Sequence, residues 1–309
     1  MRPRELVRDA ARAERAGFDF EVISDHYSPW LDSQGHAPNA WATLGAIAHA
    51  TERVDLMTYV TCPTIRYHPT VVAQQAATVA LLSDGRFTLG LGAGENLNEH
   101  IVGQGWPSAN VRHEMFVEAL EIIGQLFGGE YVNYVGKHFR VDSAKLWDVP
   151  ASPPRIGVAV SGAQSIKIAV EHADALIAVE PDAGLITQFE SAGCAGRSRI
   201  GQVPISWDPS RDAAIERAHD QFRWFAGGWK VNAELPGTAG FAAATSFVTR
   251  DDVADSIPCG PDLDAHVAAV TEFVDAGFTD VAVVQIGGST QPEFLEWAEK
   301  ELLPALQGR

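Results

Sequence analysis

The sequence predicts an α/β protein, either a (β/α)8 barrel or a doubly wound sheet. Short apolar segments rich in β-branched residues alternate along the chain with segments of helical pattern. Their nearly continuous apolar character is typical of a parallel sheet that is buried on both faces. Only seven such segments occur, however, whereas a closed barrel of this type needs eight strands. Because the chain starts directly on a helix, we expect the first strand of a barrel to be missing from it.

The seven predicted strands are taken in chain order from the apolar runs, at residues 19–26, 54–61, 87–94, 155–162, 173–180, 200–207 and 280–287. The predicted helices fall between them, at residues 3–16, 71–82, 111–127, 165–172 and 265–276. The first helix has the clearest boundaries, since Pro3 lies at its start and Gly17 just past its end.

Two insertions interrupt the alternation, at about 129–150 and 208–262. The first alternates polar and aromatic residues around Gly136 and Lys137, which predicts a hairpin. The second is rich in Trp, Gly and Ala, and we expect its helices to cover the mouth of the barrel. Neither a repeat nor an interdomain linker is evident, so residues 1–309 are predicted to form one domain.

The formal net charge of −17 excludes nucleic acids and anionic membranes as partners, because such a surface repels both. No apolar run approaches the roughly 20 residues that a membrane span requires. The three cysteines are far apart and form no CxxC pair, which favours a reducing, cytoplasmic location over a disulfide framework or a zinc site. No histidine spacing indicates a metal site.

Candidate catalytic residues follow two of the predicted strands. Asp25 and His26 end the first strand, with Trp30 on the loop beyond, and Glu95 and Asn98 follow the third. Catalytic residues of a barrel lie at the carboxyl ends of its strands. His26 exchanges protons near neutral pH, and Glu95 complements it as an acid or base. The alternative, a structural histidine held by Asp25, is less favoured because a second strand end also carries polar residues.

Two glycine-containing turns allow weaker predictions. The stretch SGAQS (161–165) joins a predicted strand to a helix, where free N–H groups and the helix dipole suit a phosphate. A plain N-cap by Ser161 or Ser165 is the alternative. The stretch GLGAGE (90–95) lacks the helix and the acidic residue that a dinucleotide-binding fold places after its glycines, so that fold is excluded.

Four blocks, ISDHYSPW, TCPTIRYHP, RFTLGLGAGENLNEH and SIPCGPD, resemble the bacterial luciferase-like flavin and deazaflavin oxidoreductases, and more narrowly the F420-dependent glucose-6-phosphate dehydrogenase group. The resemblance covers about residues 3–306. It implies a luciferase-like (β/α)8 TIM barrel, usually a homodimer, that binds coenzyme F420 rather than FMN at the carboxyl-terminal mouth of the barrel.

The same resemblance implies roles for the strand-end residues. Asp25 would contact the edge of the deazaflavin ring, and His26 would be the base that removes the hydroxyl proton of the substrate. Trp30 would stack near the reacting centre. Glu95 would be the acid that protonates the reduced ring, and Asn98 would support Glu95 or the coenzyme.

Further coenzyme contacts are implied in two segments. The pair Tyr59-Val60 matches a non-prolyl cis peptide behind the ring, and Cys62 matches a position that is usually threonine and touches the coenzyme. The segment whose backbone amides hold the coenzyme phosphate matches Val160, Ser161 and Gly162.

The match fails at the sugar-phosphate site of that group. Its phosphate-binding threonine and one of its lysines fall on Val179 and Asp182, and its arginine falls near Ser256 and the preceding aspartate. A pocket lined by Glu180 and Asp182 repels a dianion.

We therefore expect hydride transfer between F420 and a small organic substrate, an alcohol, carbonyl, imine or enone, other than a sugar phosphate. Three alternatives stay open. They are an F420-dependent glucose-6-phosphate dehydrogenase, an FMN-dependent luciferase-like monooxygenase and a non-catalytic coenzyme-binding barrel.

Overall fold

The computed structural model describes residues 1–307 and contains a curved sheet of seven parallel strands and a separate two-stranded hairpin. The strands are β1 (Phe20–Ile23), β2 (Asp55–Thr58), β3 (Phe87–Leu91), β4 (Val132–Val135), β5 (Arg140–Ala144), β6 (Arg155–Ala159), β7 (Ala175–Ala178), β8 (Ser198–Ile205) and β9 (Asp280–Gln285).

The α-helices surround this sheet. They are α1 (Pro3–Ala16), α2 (Ala40–Ala50), α3 (Pro69–Leu82), α4 (Asn96–Glu99), α5 (Ala109–Phe127), α6 (Ala163–His172), α7 (Ala183–Phe189), α8 (Arg211–Phe222), α9 (Trp229–Asn232), α10 (Thr238–Ala244), α11 (Arg250–Ser256), α12 (Leu263–Asp275), α13 (Gln291–Trp297) and α14 (Leu303–Leu306). Within residues 1–307, no helix combines the length and the apolar character needed to cross a membrane.

The order of the strands decides between the two predicted architectures. The sheet runs β1-β2-β3-β6-β7-β8-β9, so every parallel neighbour follows in chain order. A doubly wound sheet reverses direction at a switch point, whereas a barrel winds one way throughout. All seven predicted strands form, and the sheet is a nearly closed barrel with β1 and β9 at its two edges.

The interior of the barrel is apolar because alternate residues of each strand point inward. Its filling consists of Phe20, Val22, Met57, Tyr59, Val60, Ala159, Ala175, Ile177 and Ile200. A larger apolar layer joins the outside of the sheet to the surrounding helices. The barrel therefore presents a packed floor to whatever occupies its mouth.

The two insertions form a hairpin and a group of helices. β4 and β5 pair antiparallel around Gly136 and Lys137. Residues 208–262 contain α8 to α11, and Phe241 of α10 is fully buried against Leu31 and Leu97. Because Leu31 and Leu97 follow β1 and β3, this helix covers the carboxyl-terminal mouth of the barrel.

Glu21 of β1 carries a carboxyl group on the side of the strand opposite Phe20 and Val22. One of its oxygens, Oε1, is buried without a hydrogen-bond partner. Burial, together with the charge of Glu14, raises the pKa of Glu21 to about 7, and Arg86 offsets only part of this effect.

The variant Glu21→Gln is expected to be more stable than the wild type at pH 8.5, by about 1–3 kcal/mol in free energy of unfolding. The pKa in the folded protein is above that of the unfolded chain, so wild-type stability falls as pH rises from about 4.5 to 7. Thermal unfolding followed by circular dichroism at pH 5 and 8.5 measures the difference, which should be small at pH 5. Glu130→Gln, at an exposed carboxylate, is the control. An equal gain at both pH values would contradict the assignment.

Candidate active site

Three neighbouring strands of the barrel bring polar residues together at their carboxyl ends. His26 lies three residues beyond β1, Thr61 and Cys62 follow β2, and Glu95 lies four residues beyond β3. The Nε2 atom of His26 is 2.7 Å from Oε1 of Glu95, and both side chains are mostly buried. The structure therefore brings together His26 and Glu95, which are 69 positions apart in the sequence.

The surroundings of His26 favour its protonated form. Burial alone lowers the pKa of the imidazole, but the charge of Glu95 and its hydrogen bond oppose this, as do the Ser28 carbonyl and the charge of Asp25. The sum is a pKa above the usual value. Nδ1 lies 3.3 Å from the Ser28 carbonyl oxygen, so Nε2 is the atom that faces the carboxylate.

Asn98 of α4 fixes the distance between the two strand ends. Its Nδ2 donates to Oε1 of Glu95 at 2.6 Å. Its Oδ1 accepts from the backbone amides of Tyr27 and Ser28, at 2.8 and 3.1 Å. One side-chain amide thus holds both Glu95 and the loop that carries His26.

Trp30 lies beside His26, with ring centroids 4.9 Å apart. It stacks on Trp224 at 4.1 Å with an interplanar angle of 9°, and meets the edge of Phe241 at 4.9 Å. Both partners belong to the 208–262 insertion. The aromatic wall next to His26 is therefore built from two distant parts of the chain.

The side chain of Asp25 is buried at the end of β1, among residues of the neighbouring strand end. Its side chain has no exposed surface, and Oδ2 accepts from Thr61 Oγ1 at 2.8 Å and from Trp41 Nε1 at 3.2 Å. Oδ1 lies 3.1 Å from Nη2 of Arg66. Oδ2 is therefore held by internal donors, whereas the buried Oδ1 faces Arg66 without a hydrogen bond, and the carboxylate supports the strand end.

The segment after β2 forms the back of the site. The Tyr59-Val60 peptide bond is cis, as the resemblance implies. The Tyr59 hydroxyl points into the barrel and lies 3.1 Å from the Ala178 carbonyl oxygen. The buried Cys62 thiol lies 3.1 Å from Thr64 Oγ1, and burial raises its pKa, so it is a neutral wall residue and not a nucleophile.

Of the three backbone amides expected to bind phosphate at the turn between β6 and α6, one is used within the sheet. The Val160 amide donates to the Ile177 carbonyl at 2.8 Å within the sheet, so the prediction that it binds phosphate is corrected. The Ser161 and Gly162 amides donate to Ser165 Oγ at 3.0 and 3.2 Å.

The space in front of this turn nevertheless fits an anionic group. A Cβ atom built on Gly162 would meet no other atom within 4 Å, so the turn faces open space. The first amides of α6 have no acceptor within the helix. A phosphate there would replace the Ser165 hydroxyl as the acceptor for Ser161 and Gly162.

The four predicted substrate residues are exposed but do not form one cluster. Val179 and Glu180 lie just beyond β7 at the mouth of the barrel. Asp182 caps α7, accepting from the Gly184 amide at 2.7 Å. Ser256 ends α11 and donates to the Asp252 carbonyl at 2.8 Å within its own helix, so no hydrogen bond in the described chain links it to the other three.

The sequence did not predict four residues at the site: Arg66, Glu99, Trp224 and Phe241. Arg66 lies in the block TCPTIRYHP and Glu99 in RFTLGLGAGENLNEH. The signal that indicates them is a charged residue close to the end of a strand. Nothing local to residues 224 and 241 indicates contact with Trp30. In residues 1–307, no group of three or more His, Cys, Asp or Glu side chains is arranged to hold a metal ion.

Comparison with known proteins adds sequence relatives. Residues 1–280 match the family described as luciferase-like monooxygenase. The F420-dependent hydroxymycolic acid dehydrogenase of Mycobacterium tuberculosis is 37% identical over 288 residues, covering 90% of this chain and 78% of that protein. The F420-dependent glucose-6-phosphate dehydrogenase of Microbacterium testaceum is 34% identical over 335 residues, covering 99% and 94%.

Two solved structures share the fold over 99% of this chain. An F420-dependent secondary alcohol dehydrogenase in complex with an F420-acetone adduct has a TM-score of 0.88 at 26% identity, with 96% of that chain covered. The coenzyme F420-dependent tetrahydromethanopterin reductase of Methanopyrus kandleri has a TM-score of 0.77 at 20% identity, again with 96% covered, and at that identity supports the fold alone.

Proposed function

The chain belongs to the luciferase-like monooxygenase family, and we propose that it is an F420-dependent oxidoreductase acting on a small organic substrate. The observation that carries the proposal is the contact of 2.7 Å between His26 and Glu95 at the mouth of the barrel. The F420-dependent relatives at 34–37% identity support the choice of coenzyme over FMN.

When bound, the deazaflavin supplies a carbon centre that accepts or donates a hydride. Val60, Cys62 and the turn at Ser161–Gly162 would hold it, together with the apolar floor of the barrel. The chain itself must then place the substrate and manage one proton on each side of the transfer.

His26 and Glu95 are suited to moving a proton away from the substrate hydroxyl. Nδ1 faces the Ser28 carbonyl, so Nε2 is the nitrogen that would take the proton of a substrate hydroxyl, with the substrate replacing Glu95 at that nitrogen during the transfer. In this structure Nε2 lies within hydrogen-bond distance of Oε1 of Glu95. The carboxylate stabilises the imidazolium and can accept the proton, which makes Glu95 the acid for the other side of the reaction.

We further propose that the substrate is an alcohol or carbonyl compound without a phosphate group. Glu180 and Asp182 lie beyond β7, where the glucose-6-phosphate dehydrogenase group is expected to bind sugar phosphate, and their charge repels a dianion. The stacked rings of Trp30 and Trp224 offer an apolar wall beside His26. Glucose 6-phosphate is the second candidate because of the relative from Microbacterium testaceum.

Coenzyme binding is the first test. Isothermal titration calorimetry of the purified protein is expected to give saturable, micromolar binding of F420 and none of FMN. Quenching of tryptophan fluorescence during the same titration would place the ring near Trp30 and Trp224. Binding of FMN with oxygen consumption would favour a monooxygenase instead, and binding of neither coenzyme would overturn the proposal.

The substrate class is tested by following reduction of F420 at its visible absorbance band. Short secondary alcohols are expected to support turnover, whereas glucose 6-phosphate at the same concentration is not. Turnover with glucose 6-phosphate alone would leave the coenzyme assignment intact and contradict the substrate proposal.

A further inference from the structure

A buried cluster of three charged side chains lies next to the His26–Glu95 pair along the sequence. Arg66 is 8% exposed, and its partners Asp25 and Glu99 are 0% and 1% exposed. Each carboxylate is adjacent in sequence to a residue of the site, because Asp25 precedes His26 and Glu99 follows Asn98.

The guanidinium of Arg66 contacts both strand-end segments at once. Its Nη2 lies 3.1 Å from Oδ1 of Asp25 and donates to the Asp25 carbonyl oxygen at 2.6 Å. Its Nε lies 3.5 Å from Oε1 of Glu99, while the Arg66 backbone amide donates to Oε2 of Glu99 at 2.7 Å. Neither Nε of Arg66 nor Oδ1 of Asp25 makes a hydrogen bond, so the guanidinium holds the two carboxylates by charge and the Asp25 backbone by its hydrogen bond. A planar group with several nitrogens reaches these partners at once, unlike the single nitrogen of a lysine.

We propose that Arg66 is a positioning residue, which holds the segment of His26 and the segment of Glu95 and Asn98 at the distance that their contact requires. The inference rests on the proposed function for its catalytic consequence, but the geometry stands without it. Arg66 acts on the pair only through Asp25 and Glu99, which adjoin His26 and Asn98 in the sequence. It contacts neither His26 nor Glu95 itself.

The cluster also explains why buried charge is tolerated here. Burial raises the pKa of Glu99 to about 7, an effect that Arg66 only partly offsets. For Arg66, the charges of Asp25 and Glu99 outweigh burial and raise its pKa above the usual value, so it stays protonated. Removing it leaves two carboxyl groups buried without a cation, and the two segments lose their common partner.

The test compares Arg66→Met and Arg66→Lys with Arg86→Lys as the matched control. Arg86 is also a partly buried arginine that binds backbone carbonyls, including that of Thr51 at 2.9 Å, but it lies before β3 at the opposite end of the barrel. The primary readout is the pKa of the His26 ring from NMR titration, assigned by its absence in His26→Ala. This readout needs no coenzyme.

The direction in which the pKa of His26 changes in the Arg66 variants distinguishes a positioning role from a purely electrostatic one. The groups that face His26 are Glu95, Asp25 and the Ser28 carbonyl. Loss of a nearby cation by itself would raise the pKa of His26. If Arg66 positions the pair, its loss separates His26 from Glu95, and burial then lowers the pKa of His26 in both Arg66 variants.

Turnover is the second readout. The Arg66→Met variant is expected to lose about 10- to 100-fold in kcat with F420 affinity nearly retained, and Arg66→Lys to lose less. Arg86→Lys is expected to lower the melting temperature without changing kcat or the pKa of His26.

An unchanged or raised pKa of His26 together with wild-type kcat in Arg66→Lys would overturn the inference, and this variant decides the matter if Arg66→Met does not fold. Failure of the wild type to bind F420 would instead overturn the proposed function and leave the NMR test of Arg66 valid.

Discussion

Replacing His26 with alanine is expected to reduce kcat by roughly 10²- to 10⁴-fold while leaving the affinity for F420 close to that of the wild type. The imidazole is the group that takes the proton of the substrate hydroxyl, and its two nitrogens face Ser28 and Glu95. Its loss therefore removes base catalysis without opening the coenzyme site. Steady-state kinetics with saturating coenzyme, together with calorimetry, separate the two effects.

His49→Ala is the matched control, because His49 is an exposed histidine at the end of α2. It should retain wild-type kcat and F420 affinity. Full activity of His26→Ala would remove His26 from the mechanism. A loss of F420 binding in that variant would show that its role is structural.

Glu95→Gln is expected to lower kcat by about 10- to 100-fold and to move the pH profile of alcohol oxidation toward acid. The base must be neutral to accept a proton, so activity rises as pH passes the pKa of His26. The charge and hydrogen bond of Glu95 raise that pKa, and a neutral amide cannot replace the charge. The rising limb of kcat/KM against pH should therefore appear at lower pH in the variant.

The control for Glu95→Gln is Glu114→Gln, which removes the same charge from a surface carboxylate paired with Lys137. It should change neither kcat nor the pH profile. A rising limb at the wild-type position in Glu95→Gln would mean that the ionisation seen in the profile belongs to another group.

Much of the fold follows from local pattern. The seven buried strands were predictable because each is a short apolar run between turns, and the residues just beyond β1 and β3 could be assigned to one site because parallel strands end on the same side. Helix α2 was missed. Its sequence, AWATLGAIAHA, is apolar nearly all round, so it lacks the alternation of polar and apolar residues that predicts a surface helix.

The long-range contacts of the site were not predictable in the same way. Arg66 contacts Asp25 and Glu99 across 41 and 33 positions of sequence, and Trp224 contacts Trp30 across 194. No local periodicity encodes such pairs, because they depend on how the strand ends meet in space. The resemblance implies a ring contact for Asp25, and the structure adds that its side chain is buried and accepts hydrogen bonds from Thr61 and Trp41.

The aromatic wall has a consequence for how this enzyme can change over evolution. Every group that handles the proton lies before residue 100, whereas Trp224 and Phe241, which back Trp30, lie more than a hundred residues later. A genetic crossover between related genes, placed between these two parts, would exchange Trp224 and Phe241 and keep Trp30 with the acid and base. New substrates are thus reachable by recombination without rebuilding the reaction.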